Sequence, residues 1–302
     1  DVNDFFRTGA TFNNSISVSG GTETVRTYFS YANSYSDGMM RNNNYKRNTL
    51  SFRQSYSLFN KKLNVDLSLN YVQAKTKNRP GGGTVMNPLY DLYRMPRNVD
   101  LNYYKENYYI ENGKWTSNEQ SYFDSKNNKW TTGTVELTGP KQEWAYWQNG
   151  MNNPYWMVNT RNSISEEERA YGYISANYQI IDGLKIQGRL SLDRTKMKGT
   201  SERMATTWNI SAMEDYGMYG QDLNWINEVY VDALLSYDKQ IKDFSISATT
   251  GWTGHTLKGE TQKLWAKATT ANWKHDTMPT LINFFEPSVS QGNVSERSYT
   301  LS

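Results

Sequence analysis

Four pairs of segments in this sequence alternate apolar and polar residues, and a very short turn joins the two segments of each pair. The pairs are 11–19 with 24–31, 49–58 with 63–71, 170–180 with 184–193, and 229–237 with 244–252. In residues 63–71, for example, Leu63, Val65 and Leu67 alternate with polar residues. A period of two gives a β-strand one apolar face and one polar face. The pattern therefore predicts an antiparallel sheet built from hairpins.

Much longer polar segments connect one hairpin to the next. They span residues 33–45, 73–168, 195–226 and 254–302. Short turns at one end of the strands and long loops at the other are typical of transmembrane β-barrels. A tilted strand of about 9 to 11 residues is long enough to cross a bilayer, and the predicted strands have this length. We therefore predict an all-β fold, an antiparallel transmembrane β-barrel segment of about eight strands in four hairpins with long extracellular loops.

Aromatic residues lie near both ends of the apolar strand faces. Those at the long-loop end are Tyr31, Tyr71 and Trp252, and those nearer the short turns are Tyr56, Tyr178 and Tyr237. Tyr and Trp favour the interface between membrane and water because each ring is apolar and carries one polar group. Two levels of aromatic residues are typical of the girdles of an outer-membrane barrel. This pattern predicts contact with a lipid bilayer.

Composition argues against several other classes of protein. The 302 residues have a mean hydropathy of −0.81 and contain no apolar run long enough for a transmembrane helix. A net charge of +3 is too small to indicate a nucleic-acid partner. There is no cysteine, and the two histidines, His255 and His275, have no metal-ligand set or nucleophile near them in the sequence. We predict a protein that is not an enzyme and has no cofactor or metal.

The long segment 73–168 is rich in aromatic residues, with five Trp and nine Tyr. A disordered linker would be poor in them, so we expect this loop to fold. The aromatic density is highest around Asn152, Asn153 and Pro154. The candidate contacts to a substrate or to a covering protein are Trp144, Trp147, Tyr155 and Trp156. The alternative for each is packing within the loop or against a partner protein.

Two other folds fit parts of the pattern. A soluble β-sandwich has strands that alternate in the same way, and it would make the chain a carbohydrate-binding or adhesion protein. A compact soluble domain rarely contains a loop as long as residues 73–168, which favours the barrel. A complete eight-stranded barrel, such as a small adhesin, also agrees with the predicted number of strands.

Several short motifs resemble the start of the barrel in SusC/RagA-type TonB-dependent transporters of Bacteroidetes. They are residues 5–9 (Phe-Phe-Arg-Thr-Gly), 15–21 (Ser-Ile-Ser-Val-Ser-Gly-Gly) and 28–31 (Tyr-Phe-Ser-Tyr). The similarity continues at 37–38, 45–47, 64–71, 153–156, 168–169, 177–178 and 182–184. Their order and spacing resemble those of the family over about the first two thirds of the chain.

The resemblance implies import of oligosaccharides or peptides across the cell outer membrane. Members of this family have a plug domain, a segment that engages TonB, a barrel of about 22 strands, and a surface lipoprotein of the SusD type that covers the mouth. We expect residues 1–302 to form part of the barrel domain, with the plug and N-terminal domains outside this sequence. The TonB complex would act through those other parts, and a homodimer of the transporter–lipoprotein pair is one assembly that we consider.

Overall fold

The computed structural model of the chain describes residues 2–81, 83, 86–146, 150–209, 212–213, 217–268 and 284–301. Within these residues the largest element is an antiparallel sheet of nine strands, which we name the main sheet. Its strands, in spatial order, are β1 (Ala10–Gly21), β2 (Val25–Asp37), β3 (Asn44–Leu58), β4 (Leu63–Lys77), β7 (Asn162–Ile181), β8 (Leu184–Arg203), β11 (Met218–Ile241), β12 (Phe244–Ala268) and β13 (Phe284–Leu301). The predicted all-β class is confirmed, and the main sheet is consistent with part of a barrel.

All eight predicted strands are present, and several extend well beyond their predicted ends. β11 has 24 residues and β12 has 25, compared with nine in each of the predicted segments 229–237 and 244–252. These extensions lie in the predicted loops, where polar residues occur on both strand faces. Backbone hydrogen bonds pair such strands without any alternation in the side chains, so the sequence pattern did not reveal them.

A ninth strand, β13, pairs with β12 and lies within the predicted loop 254–302. The first turn is shorter than the predicted connection between segments 11–19 and 24–31, because Gly20 and Gly21 lie in β1. The chain reverses after them, where the Thr22 hydroxyl accepts a hydrogen bond from the backbone N–H of Val25 at 3.2 Å.

The register of the main sheet brings the predicted apolar positions together. Leu67 pairs with Ile174, and Ile174 pairs with Leu190. Leu190 in turn pairs with Val231. We name the side that carries these residues the apolar face, and the opposite side, which carries Ser68, the polar face. A slip of one residue in any pair of strands would exchange the two faces.

The apolar face is exposed along much of its length. Ile16 is 63% exposed, Leu69 52% and Leu192 54%. The other sheets in the described residues have two strands each: β5 (Tyr109–Asp124) pairs with β6 (Lys129–Gln142), and β9 (Trp208–Asn209) pairs with β10 (Ala212–Met213). A β-sandwich would bury its apolar face against a second large sheet. The described part of the chain forms a single large sheet instead.

The described residues also contain three short helices, all within the predicted long loop 73–168. They are α1 (Pro88–Arg94), α2 (Leu101–Glu106) and α3 (Pro154–Thr160). Asn87, Asp100 and Asn153 cap them by accepting a hydrogen bond from the backbone N–H two residues later. A 3₁₀ turn at Val2–Phe5 precedes the main sheet. In the part of the chain that the structure describes, no helix is long and apolar enough to span a membrane.

Candidate functional site: the loop cap and the polar face

The three helices pack around a small apolar core at the long-loop end of the main sheet. We name this unit the loop cap; it comprises the Val2–Phe5 turn and the described residues of 78–108 and 142–161. Its buried cluster consists of Phe5, Leu92, Leu101, Tyr155 and Val158, and Met40 of the β2–β3 connection packs into the same cluster. The rings of Phe5 and Tyr155 meet edge to face with centroids 5.1 Å apart. The expectation that the long loop folds is therefore confirmed for these residues.

Hydrogen bonds attach the loop cap to the ends of the strands. The backbone N–H of Asn78 donates to the carbonyl of Ser163 at 2.7 Å, and the Asn78 side chain accepts from the N–H of Ser163 at 2.8 Å. Asn42, in the β2–β3 connection, donates to the carbonyl of Val158 at 3.1 Å. These bonds position α3 beside the long-loop ends of β3, β4 and β7.

A buried hydrogen-bond network inside the cap centres on Gln142. Its side-chain N–H donates to Asn152 Oδ1 at 3.1 Å and to the carbonyl oxygen of Thr206, and its Oε1 accepts from the backbone N–H of Asn153 at 2.9 Å. Asn152 Oδ1 also accepts from the N–H of Trp208 at 2.8 Å. The network thus joins two of the predicted loops, 73–168 and 195–226, into one unit.

Asp91, on α1, is a buried carboxyl group at the edge of this network. Its Oδ2 accepts from the backbone N–H of Asn152 at 3.1 Å. Burial raises the pKa of Asp91 to about 6, although the hydrogen bonds from Asn152 and the positive charge of Arg94 act in the opposite direction. The carboxyl therefore changes its charge between weakly acidic and neutral pH.

The structure places three of the four predicted contact residues inside the loop cap. Trp144 is 2% exposed, Tyr155 is fully buried and Trp156 is 1% exposed. Trp156 Nε1 donates to the Thr207 hydroxyl at 2.9 Å, so this side chain helps to link the two loops. Trp147 lies outside the described residues. Trp144, Tyr155 and Trp156 therefore pack within the loop cap, which is the alternative that the sequence analysis gave for each of them.

Sequence reasoning missed the polar residues that hold the cap together, Gln142, Asp91 and Thr206. No periodicity or motif marks them, because their partners are 61 to 64 residues away along the chain for Asp91–Asn152 and Gln142–Thr206. One signal was available. Asn153 followed by a proline is a typical helix start, and it would have predicted α3.

The polar face of the main sheet carries oppositely charged side chains on neighbouring strands. Arg189 Nε on β8 donates to Asp232 Oδ2 on β11 at 2.7 Å. Farther along the strands, Arg169 Nε donates to Asp193 Oδ1 at 3.0 Å. His255 Nε2 lies 2.6 Å from Glu228 Oε1. Paired charges and hydroxyl groups make this face suitable for contact with water and polar solutes.

Among the described residues, no group of three or more His, Asp and Glu side chains is arranged to hold a metal ion. His255 has Glu228 as its partner on the polar face, and His275 lies outside the described residues. The arrangement of the site supports binding and hydration.

Solved structures of the RagAB peptide transporter resemble this chain. The transporter structure gives a TM-score of 0.63 at 17% identity. The peptide importer gives 0.65 at 18% identity in its "closed-closed" state and 0.64 at 17% in its "open-open" state. Each comparison covers 99% of this chain but 30% of the RagAB chain. No protein-family model and no curated protein matches the sequence.

Structural similarity at this level of identity establishes the fold. The single large sheet, its exposed apolar face and its long-loop end all belong to the region that these structures share with the chain. The resemblance to SusC/RagA-type transporters predicted from short motifs is thus confirmed at the level of the fold, and the chain has the fold of about 30% of a RagAB transporter chain.

Proposed function

We propose that this chain is part of the wall of an outer-membrane transporter that imports peptides or oligosaccharides. The observation that carries the proposal is the contrast between the two faces of the main sheet. One face exposes apolar side chains such as Ile16, Leu69 and Leu192, and the other carries ion pairs such as Arg189–Asp232. Soluble proteins rarely expose contiguous apolar patches of more than a few hundred Å², whereas a bilayer solvates such a face.

The levels of aromatic residues and the similarity to RagAB support the same proposal. Tyr71 and Trp252 are 41% and 40% exposed on the apolar face, beyond its aliphatic residues and toward the long loops. The RagAB structures are described as a peptide transporter and importer, which favours peptides as the first substrate class to test. Transport through a lumen needs no covalent chemistry, so we propose no enzymatic activity.

The loop cap lies at the long-loop end, which is the extracellular end in outer-membrane barrels. We propose that a SusD-like surface lipoprotein covers this end and that TonB supplies energy through parts of the protein outside this sequence. Trp144, Trp147, Tyr155 and Trp156 remain our candidates for contact with the substrate or lipoprotein. Because Trp144, Tyr155 and Trp156 are buried, such contact requires the cap to open.

The first experiment is mass spectrometry of the native complex, extracted from outer membranes with mild detergent. We expect a polypeptide much longer than 302 residues that contains this sequence, together with a surface lipoprotein and bound peptide or glycan. The bound material would identify the cargo. A free 302-residue chain recovered from the soluble fraction would contradict the proposal and favour a soluble carbohydrate-binding or adhesion protein.

A further inference from the structure

On β4 and β8 the apolar face becomes basic just beyond its last apolar side chains, while β7 between them carries Glu166 and Glu168 at the same level. On β4 its residues, in order toward the long loops, are Leu67, Leu69, Tyr71, Gln73 and Lys75. On β8 the corresponding series is Leu190, Leu192, Arg194, Lys196 and Lys198. The side chains on one face of these strands therefore change from aliphatic to cationic, over about 20 Å from Leu69 to Lys75 and about 7 Å from Leu192 to Arg194.

The register gathers four of these cations across neighbouring strands. Lys46 on β3 pairs with Lys75 on β4, and Lys75 pairs with Glu166 on β7. Glu166 pairs with Lys198 on β8, and Lys196 lies one row nearer the apolar residues. We name Lys46, Lys75, Lys196 and Lys198 the lysine patch. Together with Asn48, Gln73 and Glu168 they line an open depression of about 340 Å³.

The lysine patch has an excess of positive charge. Lys75 Nζ forms an ion pair with Glu166 Oε1 at 2.8 Å. Within the described residues, the ammonium groups of Lys46, Lys196 and Lys198 make no hydrogen bond or close ion pair, although the charge of Lys198 also acts on Glu166. Four lysines beside Glu166, Glu167 and Glu168 leave a net charge of +1 in this depression. A complementary ligand is anionic where it contacts the lysines, and it is apolar where it contacts the aliphatic residues of the same face.

We propose that the lysine patch binds the phosphate groups of a phosphorylated glycolipid of the lipid A class in the outer leaflet, with its acyl chains along the apolar face. The inference rests on the proposed outer-membrane function. Each ammonium group offers three donors to phosphate oxygens. Tyr71 lies between the aliphatic residues and Lys75, at the level where headgroups meet acyl chains. The lysines thus lie on the long-loop side of Tyr71, at the level expected for lipid headgroups.

The test measures lipid A binding by the full-length transporter, purified in mild detergent and depleted of native lipid. The probe is fluorescently labelled diphosphorylated lipid A. The K46Q/K196Q/K198Q variant removes the three cations that form no close ion pair and leaves the Lys75–Glu166 pair intact. We expect its affinity to fall by about tenfold or more. The matched control, K61Q/K62Q/K185Q, removes three charges at the short-turn end and should bind like the wild type.

A second probe identifies the chemical group that is recognised. Lipid A without phosphates should bind the wild type about as weakly as intact lipid A binds the triple variant. Equal affinity for the two lipids would overturn the proposal, as would wild-type affinity in the triple variant. Displacement of lipid A by inorganic phosphate or by phosphatidylglycerol at equal concentration would also overturn it, because the patch would then recognise phosphate in general.

Folding and membrane insertion are checked separately from lipid binding. If the triple variant fails to fold, K196Q alone must still lower the affinity for lipid A, and unchanged binding by K196Q would overturn the proposal. A wild-type protein that is absent from the outer-membrane fraction contradicts the proposed transporter function. A correctly inserted wild type whose lipid A affinity equals that of the folded triple variant contradicts only the lipid proposal.

Discussion

Gln142 and Asn153 show how single polar side chains hold the loop cap together. Gln142 uses both ends of its amide group, and Asn153 caps α3 while its N–H donates to Gln142. Each bond satisfies a buried group that water cannot reach, and leaving such a group without a partner would cost about 1–3 kcal/mol. The cap is therefore specified by hydrogen-bond geometry as well as by apolar packing.

Asp91 makes the stability of the cap depend on pH. An unfolded aspartate has a pKa of about 3.9, whereas burial raises that of Asp91 to about 6. Between these two values the folded chain keeps a proton that the unfolded chain has lost, so stability decreases as pH rises. The decrease from this residue should be about 2 kcal/mol between pH 4 and pH 7.

The Asp91→Asn variant should abolish this part of the pH dependence, because an amide does not ionise. We expect it to be more stable than the wild type at pH 7 and similar to it at pH 4, measured by urea unfolding with tryptophan fluorescence. Asp100→Asn, at the exposed cap of α2, is the control and should retain the wild-type profile. An unchanged profile in Asp91→Asn would show that burial of this carboxyl is not responsible.

At the scale of secondary structure, the period of two in the sequence becomes the two faces of the main sheet. Leu190, on the apolar face, is 39% exposed, and Gln187, on the same strand, points to the polar face. Ser68 also lies on the polar face but is only 6% exposed. An arginine at Ser68 would therefore disturb packing whatever solvent surrounds the sheet, so Gln187 is the better reference position.

Leu190→Arg should destabilise the protein by about 2–4 kcal/mol in lipid, because it places a charge on the face that we propose contacts the bilayer. Gln187→Arg should change stability much less, since its side chain meets water. The measurement is the free energy of unfolding from lipid vesicles in guanidinium chloride. Equal losses for the two variants would contradict the assignment of the faces.

The hairpin between β7 and β8 depends on a left-handed residue. Gly183 has φ = +84°, and a Cβ at this position would lie 2.5 Å from the carbonyl oxygen of Asp238. Gly183→Ala should therefore destabilise the hairpin by at least about 1–2 kcal/mol. Gly188→Ala is the matched control, because no atom lies within 4 Å of its added Cβ. Urea unfolding of both variants tests the difference, and equal stability would contradict this account of the turn.

At the scale of the whole molecule, the described main sheet has two edges, β1 (Ala10–Gly21) and β13 (Phe284–Leu301). An unpaired edge exposes a row of backbone N–H and C=O groups. In lipid these groups have no hydrogen-bond partner, and in water they promote aggregation. We propose that both edges pair with further strands in the complete transporter, whose RagAB counterpart is much longer than this chain.

This proposal predicts slow hydrogen exchange along β1. In the full-length transporter, all backbone amides of β1 should exchange slowly, including the alternate ones that point away from β2. The reference is β3, which has strands on both sides and should show the same uniform protection. Rapid exchange of alternate β1 amides would mean that the edge is open and would contradict pairing in a larger barrel.

Local patterns in the sequence were sufficient for the hairpins and for the two faces. The alternation in residues 63–71 and 184–193 is a property of neighbouring residues. The extensions of β11 and β12 and the ninth strand β13 were missed because polar strands pair through the backbone. Burial of Trp144, Tyr155 and Trp156 could not be predicted either, since an aromatic residue suits a binding surface and a small core equally well.

The sequence by itself thus determined an antiparallel sheet with one apolar face, because side-chain direction in a strand follows from the order of residues. Only the tertiary structure decided which loops meet. The contacts of Gln142 with Thr206 and of Asp91 with Asn152 join residues about 60 positions apart. It also decided that lysines from β3, β4 and β8 share one depression, because the register of neighbouring strands places distant residues side by side.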